Sequence, residues 1–293
     1  MQSNNPIFTR SEGFNGRANA QGNVSYPGNG QSYDAYGSPA GWSTGTPGVP
    51  GTTRLGGQVD QGRMSIDSVV QKTGLTLGTV VVVAAITWIM TGDIASSGNA
   101  STLYLLSMVG ALVGFGLSMV NSFKRVISPA LVLAYAAFEG LFIGAFSKVV
   151  EATFLAPDQH GLVVSAVAGT MAAVAGTLAA YKFFNIKVGQ KFRTWVIAAG
   201  FGFVAVSLLD VVLGFFGVSM GVNGFGAMGL LFTVLGLGLG VFFLILDFDF
   251  VERGIAAGLP ERESWRAAFG LTVSIVFIYV EMLRLLAILR GGD

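Results

Sequence analysis

Residues 226–250 read GAMGLLFTVLGLGLGVFFLILDFDF, and residues 269–289 read FGLTVSIVFIYVEMLRLLAIL. The first stretch carries no charge from Gly226 through Leu246 and then meets Asp247 and Asp249. The second is as apolar, but holds Glu281 and Arg284. An uncharged run of about 20 residues is long enough to cross the hydrocarbon core of a bilayer as a helix, and an ionisable group within one is costly unless paired or wet. These two stretches decide the fold class and mark the place where chemistry or transport is to be sought.

Working outward, the same apolar texture recurs. The runs are 75–91, 103–120, 129–150, 162–184, 195–218, 226–246 and 269–289, the first being the shortest. Seven such runs predict an all-α polytopic membrane protein with seven transmembrane helices over residues 63–293. Composition agrees: the chain is 52% hydrophobic and 11% charged, with mean hydropathy +0.66, where a soluble domain carries about 25% charged residues. Residues 1–62 differ. They are rich in Gly, Ser, Asn, Gln, Tyr and Pro, too polar to offset their ordering entropy by burial, and they lack the apolar core of a signal peptide. They are expected to form a disordered cytoplasmic tail.

Lysine and arginine orient the runs. Arg63 and Lys72 precede the first. Lys124 and Arg125, then Lys187, Lys191 and Arg193, then Arg253, Arg262 and Arg266 follow the second, fourth and sixth, while the breaks after the first and fifth carry none. This alternation predicts a multi-pass protein of the cell membrane, with its amino terminus cytoplasmic and its carboxyl terminus external. Tyr181, Phe183 and Trp195 flank the fourth break as interfacial aromatics. Glycine pairs four apart (Gly110 and Gly114, Gly140 and Gly144, Gly236 and Gly240) present one helix face each for close helix packing.

Several function classes are excluded or disfavoured. Nothing resembles a basic, aromatic-interleaved nucleic-acid surface. There is no cysteine and one histidine, His160, so thiol and histidine-rich metal sites are out, and His160 beside Asp158 reads as an ordinary loop residue. No Ser/His/Asp set or phosphate loop is present. The seventh run has no lysine, which argues against a retinal Schiff base. The absence of an internal repeat weakens a transporter built of inverted halves.

The remaining signal is the buried acid. Glu139 lies about 15 Å, Asp210 about 22 Å, Glu281 about 18 Å and Arg284 about 22 Å from the cytoplasmic side at 1.5 Å per residue. Glu281 and Arg284, three apart, can neutralise each other, and Asp210 can compete for Arg284. One arginine does not compensate three acids, so at least one is expected to be protonated or to face water. Asp247 and Asp249 are expected at the carboxyl end of the sixth helix, where the helix dipole disfavours them. Arg253, a bound cation or a proton would compensate, and their carboxylates are hard ligands suited to calcium.

The stretch YAAFEGLFIG at 135–144, the Leu246-Asp247-Phe248-Asp249 segment, and Ile278-Tyr279-Val280-Glu281 followed by Arg284-Leu285-Leu286 together resemble the Bax inhibitor-1 family, in its bacterial branch, over about residues 64–290. The resemblance implies six helices around a central seventh and a pH-sensitive calcium leak. It also implies an acid of the sixth helix and one of the seventh that share a proton and hold the cytoplasmic side closed. By motif Asp247 or Asp249 takes the first place and Glu281 the second. Some bacterial relatives instead restrain a membrane-bound protease. Two departures stand out: Glu281 replaces the usual Asp, and the segment between the acids is about two helical turns longer than usual. A direct pair would need a bent sixth helix or a deeper funnel, and aligning Trp265 instead would put Val273 in the acid's place.

The expectation is therefore a non-enzymatic, cofactor-free cation leak in the lipid bilayer with calcium as the transported ion. Asp247, Asp249 and Glu281 form its gate, Glu139, Asp210 and Arg284 its intramembrane charge network, and Asp247 with Asp249 a calcium site. The alternative is an interaction protein regulating a membrane-bound protease or a stress response.

Overall fold

The computed structural model describes residues 62–92, 97–154, 161–184 and 186–291, the side chains of 97–99 excepted. The expected tail up to residue 61, Asp158 and His160 lie outside the described residues. Seven helices follow one another: α1 (Ile66–Met90), α2 (Ser97–Phe123), α3 (Pro129–Phe154), α4 (Leu162–Phe183), α5 (Gln190–Gly214), α6 (Ala227–Ala256) and α7 (Glu263–Arg290). Seven are long and apolar enough to cross a membrane.

Most helices outrun their apolar stretches, α1, α6 and α7 by the most consequential margins. α1 begins at Ile66, nine residues before the expected run, because Ser65 caps it. The Ser65 hydroxyl accepts from the Ser68 amide at 3.1 Å, and the Ser68 hydroxyl accepts from the Ser65 amide at 3.2 Å, which satisfies two orphan donors of the first turn. The polar residues of that turn are used by α7 and the loop before it: Ser68 and Ser264 share a hydrogen bond of 2.6 Å, and Lys72 pairs with Glu261 at 2.9 Å. α7 likewise begins at Glu263, ahead of its apolar run. α6 continues ten residues past Leu246 to Ala256. Asp247 and Asp249 therefore do not end the helix as the sequence led us to expect; they lie about two turns inside it, and the dipole penalty at a terminus does not apply.

α7 is the axis. Ala268, Ile278, Leu283 and Ala287 are fully buried, and α1, α3, α4 and α6 pack on it, while α2 leans on α3 and α5 on α6. The six helices thus surround α7 in two tiers. Glycines set the contacts. A Cβ at Gly140 would lie 2.6 Å from the Val80 carbonyl oxygen, one at Gly144 2.5 Å from that of Ala84, one at Gly110 2.6 Å from the Phe142 amide nitrogen, and one at Gly240 2.6 Å from Ile278 Cγ1. Any larger residue would push these backbones apart. The outward faces are apolar, with Val81, Leu112, Trp195 and Phe201 exposed, as a bilayer requires.

The basic breaks gather at one end of the bundle, here the basic end. There the segment before α1 pairs with the α6–α7 loop: the Met64 amide donates to the Leu259 carbonyl at 2.8 Å, and the Glu261 amide to the Gly62 carbonyl at 2.6 Å. Arg262 Nε donates to the Ile127 carbonyl at 3.0 Å and Arg266 Nη2 to the Arg125 carbonyl at 2.9 Å. At the opposite end, Lys148 Nζ of α3 donates to the Trp88 carbonyl at 2.7 Å, placing a cation at the carboxyl end of α1. Glu151 accepts from the Gly161 and Val163 amides, each at 3.3 Å, placing an anion at the amino end of α4. Both follow the helix dipole.

Candidate functional site

The seam between α6 and α7 holds the polar groups of interest, and spacing explains it. On α6, Gly236, Gly240 and Asp247 recur at steps of four and seven. On α7, Gly270, Ser274, Ile278 and Glu281 recur at steps of four, four and three. Each set is one helical stripe, and the two stripes face each other antiparallel. Gly236 opposes Glu281, whose Cδ would lie 3.0 Å from an added Cβ; Gly240 opposes Ile278; Asp247 opposes Gly270 and Ser274.

Near the basic end, Asp247 Oδ2 accepts from the Ser274 hydroxyl at 2.5 Å, and Asp247 Oδ1 would lie 2.8 Å from a Cβ on Gly270. The carboxylate fits only because residue 270 has no side chain. Leu244, Leu271 and Ile275 form the apolar wall of this part of the seam. Asp247 is nevertheless partly accessible, and no ion pair among the described residues includes it.

Further along the seam, Glu281 is 3% exposed and Arg284 6%. Arg284 Nη1 approaches Glu281 Oε2 at 3.3 Å, and its Nη2 donates to the carbonyls of Val222 and Gly224 at 2.9 and 3.2 Å. The fully buried Thr233 hydroxyl lies near Glu281 without reaching hydrogen-bond geometry. Asp210 does not compete for Arg284. It accepts from the Met220 and Asn223 amides at 2.6 and 3.0 Å. The loop between α5 and α6 is thus held from two sides, its amides by Asp210 and its carbonyls by Arg284.

The structure does not bring Asp247 and Glu281 together. They share the seam, but lie about nine to eleven residues apart along it, roughly 15 Å. Between them Ile278, fully buried, presses on Gly240, and Phe277 lies beside it. Nor do Asp247 and Asp249 converge, since two residues on a helix point to different sides. Asp249 turns away from the seam, accepting from Arg253 Nε at 2.9 Å with Arg193 at 3.8 Å, while Arg253 also donates to the Val188 carbonyl. Among the described residues, no three of His, Cys, Asp and Glu converge as a metal site. Glu139 lies elsewhere, on α3 toward α2: its Oε2 would be 3.0 Å from a Cβ on Gly114, and Tyr135 stands one turn away.

Two contributors escaped the sequence reading, Ser274 and Gly270. The signal for both was the stripe they share with Glu281. It was hidden because a serine and a glycine in an apolar run read as packing residues until a carboxylate is found opposite.

Compared with curated proteins, the chain has no match. A family model described as Bax inhibitor 1 like matches residues 5–291, nearly the whole chain, and with six apolar helices arranged around a seventh, this chain belongs to the Bax inhibitor 1 like family of multi-pass membrane proteins.

Proposed function

We propose that the protein is a pH-sensitive cation leak of the cell membrane, without enzymatic turnover or resident cofactor, that conducts calcium along the α6–α7 seam. The observation that carries the reading is a single seam with an acid at each end, Asp247 and Glu281, closed between them by Ile278 on Gly240. A carboxylate beside a hydroxyl offers the hard oxygen ligands that calcium takes, and of the two seam acids Asp247 is the one in no ion pair among the described residues. In this reading the helices are shut at the apolar contact. Protonation of Asp247 ends its role as a pure acceptor toward Ser274, alters the packing of α6 on α7, and shifts the population in which the Ile278 contact is broken. Glu281, held by Arg284, is the second gate position. Asp249, Glu139 and Asp210 brace the helices around the seam. By the distribution of lysine and arginine the basic end faces the cytoplasm.

The test is calcium flux into liposomes holding purified protein, compared at mildly acidic and neutral pH. Asp247→Asn is expected to abolish the pH dependence, Ile278→Ala to raise flux at every pH, and Glu281→Gln to change its level. Flux unaffected by pH and by all three changes would overturn the seam as the path. A folded, correctly inserted protein that conducts nothing would leave the family's other role, interaction with a membrane-bound protease or stress partner, as the reading to pursue.

A further inference from the structure

A second feature lies on the other side of α7. α1 is drawn onto α3 by the close contacts of Gly140 and Gly144 with Val80 and Ala84. α4 packs on α7, and α1 and α4 make no close backbone approach to each other. The space left is a cavity of about 290 Å³ whose floor is α3 and α7 and whose walls are α1 and α4.

Its chemistry is specific. The walls are Val80, Ala84, Trp88, Val163, Val167 and Met171. The polar groups that reach it have partners already: the Ser147 and Tyr279 hydroxyls are joined at 2.7 Å, and the Thr170 hydroxyl donates to the Ala166 carbonyl at 2.7 Å. Almost all of the lining is apolar, water needs two to four polar partners, and an apolar cavity of this kind stays dry. A polar ligand would lose its hydration without replacement. The mouth lies between two helices whose flanking residues Val81, Val167 and Met171 are exposed toward the hydrocarbon. From Leu77 to Trp88 the α1 wall spans about 16 Å, and Trp88 stands near the end of the helix, at the level where indoles anchor to the interface.

We infer that this cavity is a binding site for one acyl chain of a bilayer phospholipid, entering sideways between α1 and α4 from the leaflet at the end opposite the basic one. A methylene fills about the volume of a water molecule in the liquid, roughly 30 Å³, so the cavity takes on the order of ten methylenes, a large part of one chain. The gain is dispersion contact with the side chains of four helices at once, in a space that would otherwise lack partner atoms, on the face of α7 away from the α6 seam.

Trp88 lines the site and reports on it. The chain has four tryptophans, so Trp42, Trp195 and Trp265 are replaced by Phe and the protein is held in non-quenching detergent. It is then titrated with phosphatidylcholine brominated on its acyl chains. The expected result is quenching of Trp88 that saturates at about one lipid per protein. Val167→Phe and Met171→Phe, which fill the mouth, should each reduce the saturable component several-fold, while Val211→Phe, on the exposed face of α5, should leave it unchanged. Using two filling variants guards against one that fails to fold. Quenching that rises in proportion to lipid without saturating, or that is the same in all three variants, would overturn the site.

Discussion

Arg284 gives the sharpest energetic prediction. Its guanidinium faces a carboxylate at 3.3 Å and two carbonyls at 2.9 and 3.2 Å while only 6% exposed, and its partner Glu281 is 3% exposed. Arg284→Met keeps the length and apolar stem but removes the charge. Two losses follow. Glu281 is left buried without its cation, a situation that costs about 3–5 kcal/mol where one member of a buried pair is removed. The Val222 and Gly224 carbonyls also lose charged donors, each worth about 1.5–3 kcal/mol. Glu281 can escape part of the first cost by taking up a proton, so the net loss expected is about 3–5 kcal/mol rather than the full sum. Adding Glu281→Gln removes the orphaned charge, and the double variant should recover at least about 1 kcal/mol relative to additivity. The assay is reversible unfolding of the detergent-solubilised protein by sodium dodecyl sulfate, followed by tryptophan fluorescence, for wild type, both single variants and the double. Single-variant losses that add to within about 0.5 kcal/mol would show that the two side chains are energetically independent, and the reasoning from burial would fall. Arg284→Lys should sit between, because a point charge cannot reach the carboxylate and both carbonyls in the way a planar fork does.

Three further outcomes follow from the packing. Gly144→Ala places a methyl 2.5 Å from the Ala84 backbone oxygen and should cost about 1–3 kcal/mol by overpacking, whereas Gly116→Ala meets nothing within 4 Å and should be neutral or gain up to about 1 kcal/mol of helix propensity; the same unfolding titration separates them. Asp210→Ala removes the acceptor that gathers the Met220 and Asn223 amides, so the loop between α5 and α6 should become the first site cut in limited proteolysis, with no such change for Asp210→Asn if one amide bond suffices. Because the natural sequence has no cysteine, Lys191→Cys at the exposed basic end should react with impermeant maleimide only after the cell membrane is opened; labelling of intact cells would reverse the orientation proposed.

The sequence by itself determined the fold class. Run length and the absence of charge are one-dimensional properties, and in a bilayer each spanning helix must satisfy its own backbone, so seven helices could be read without knowing what they touch. The close contacts were legible too: the three glycine pairs four residues apart all fall at helix–helix interfaces, because four residues return to the same face of a helix. The pairing of Asp249 with Arg253 is of the same local kind. Which helix each face meets, and at what level, was decided only by the tertiary structure. The sequence took the first charges flanking an apolar run as the bounds of a helix; in the fold α1 and α7 begin earlier and α6 continues, and Lys72, Arg266 and Asp249 find ion-pair partners there. Depth along the runs put Asp210 and Arg284 at one level, and in the fold both reach the α5–α6 loop, but from different sides; the pairing of Asp247 with Glu281 came from the family resemblance, and depth along the helices already set the two apart. The register of α6 on α7, set by glycines that let Glu281, Ile278 and Asp247 into the seam at successive levels, instead gives Asp247 to Ser274 and holds the two acids apart. That register is a sum of contacts between residues far apart in the chain, and no local pattern carries it.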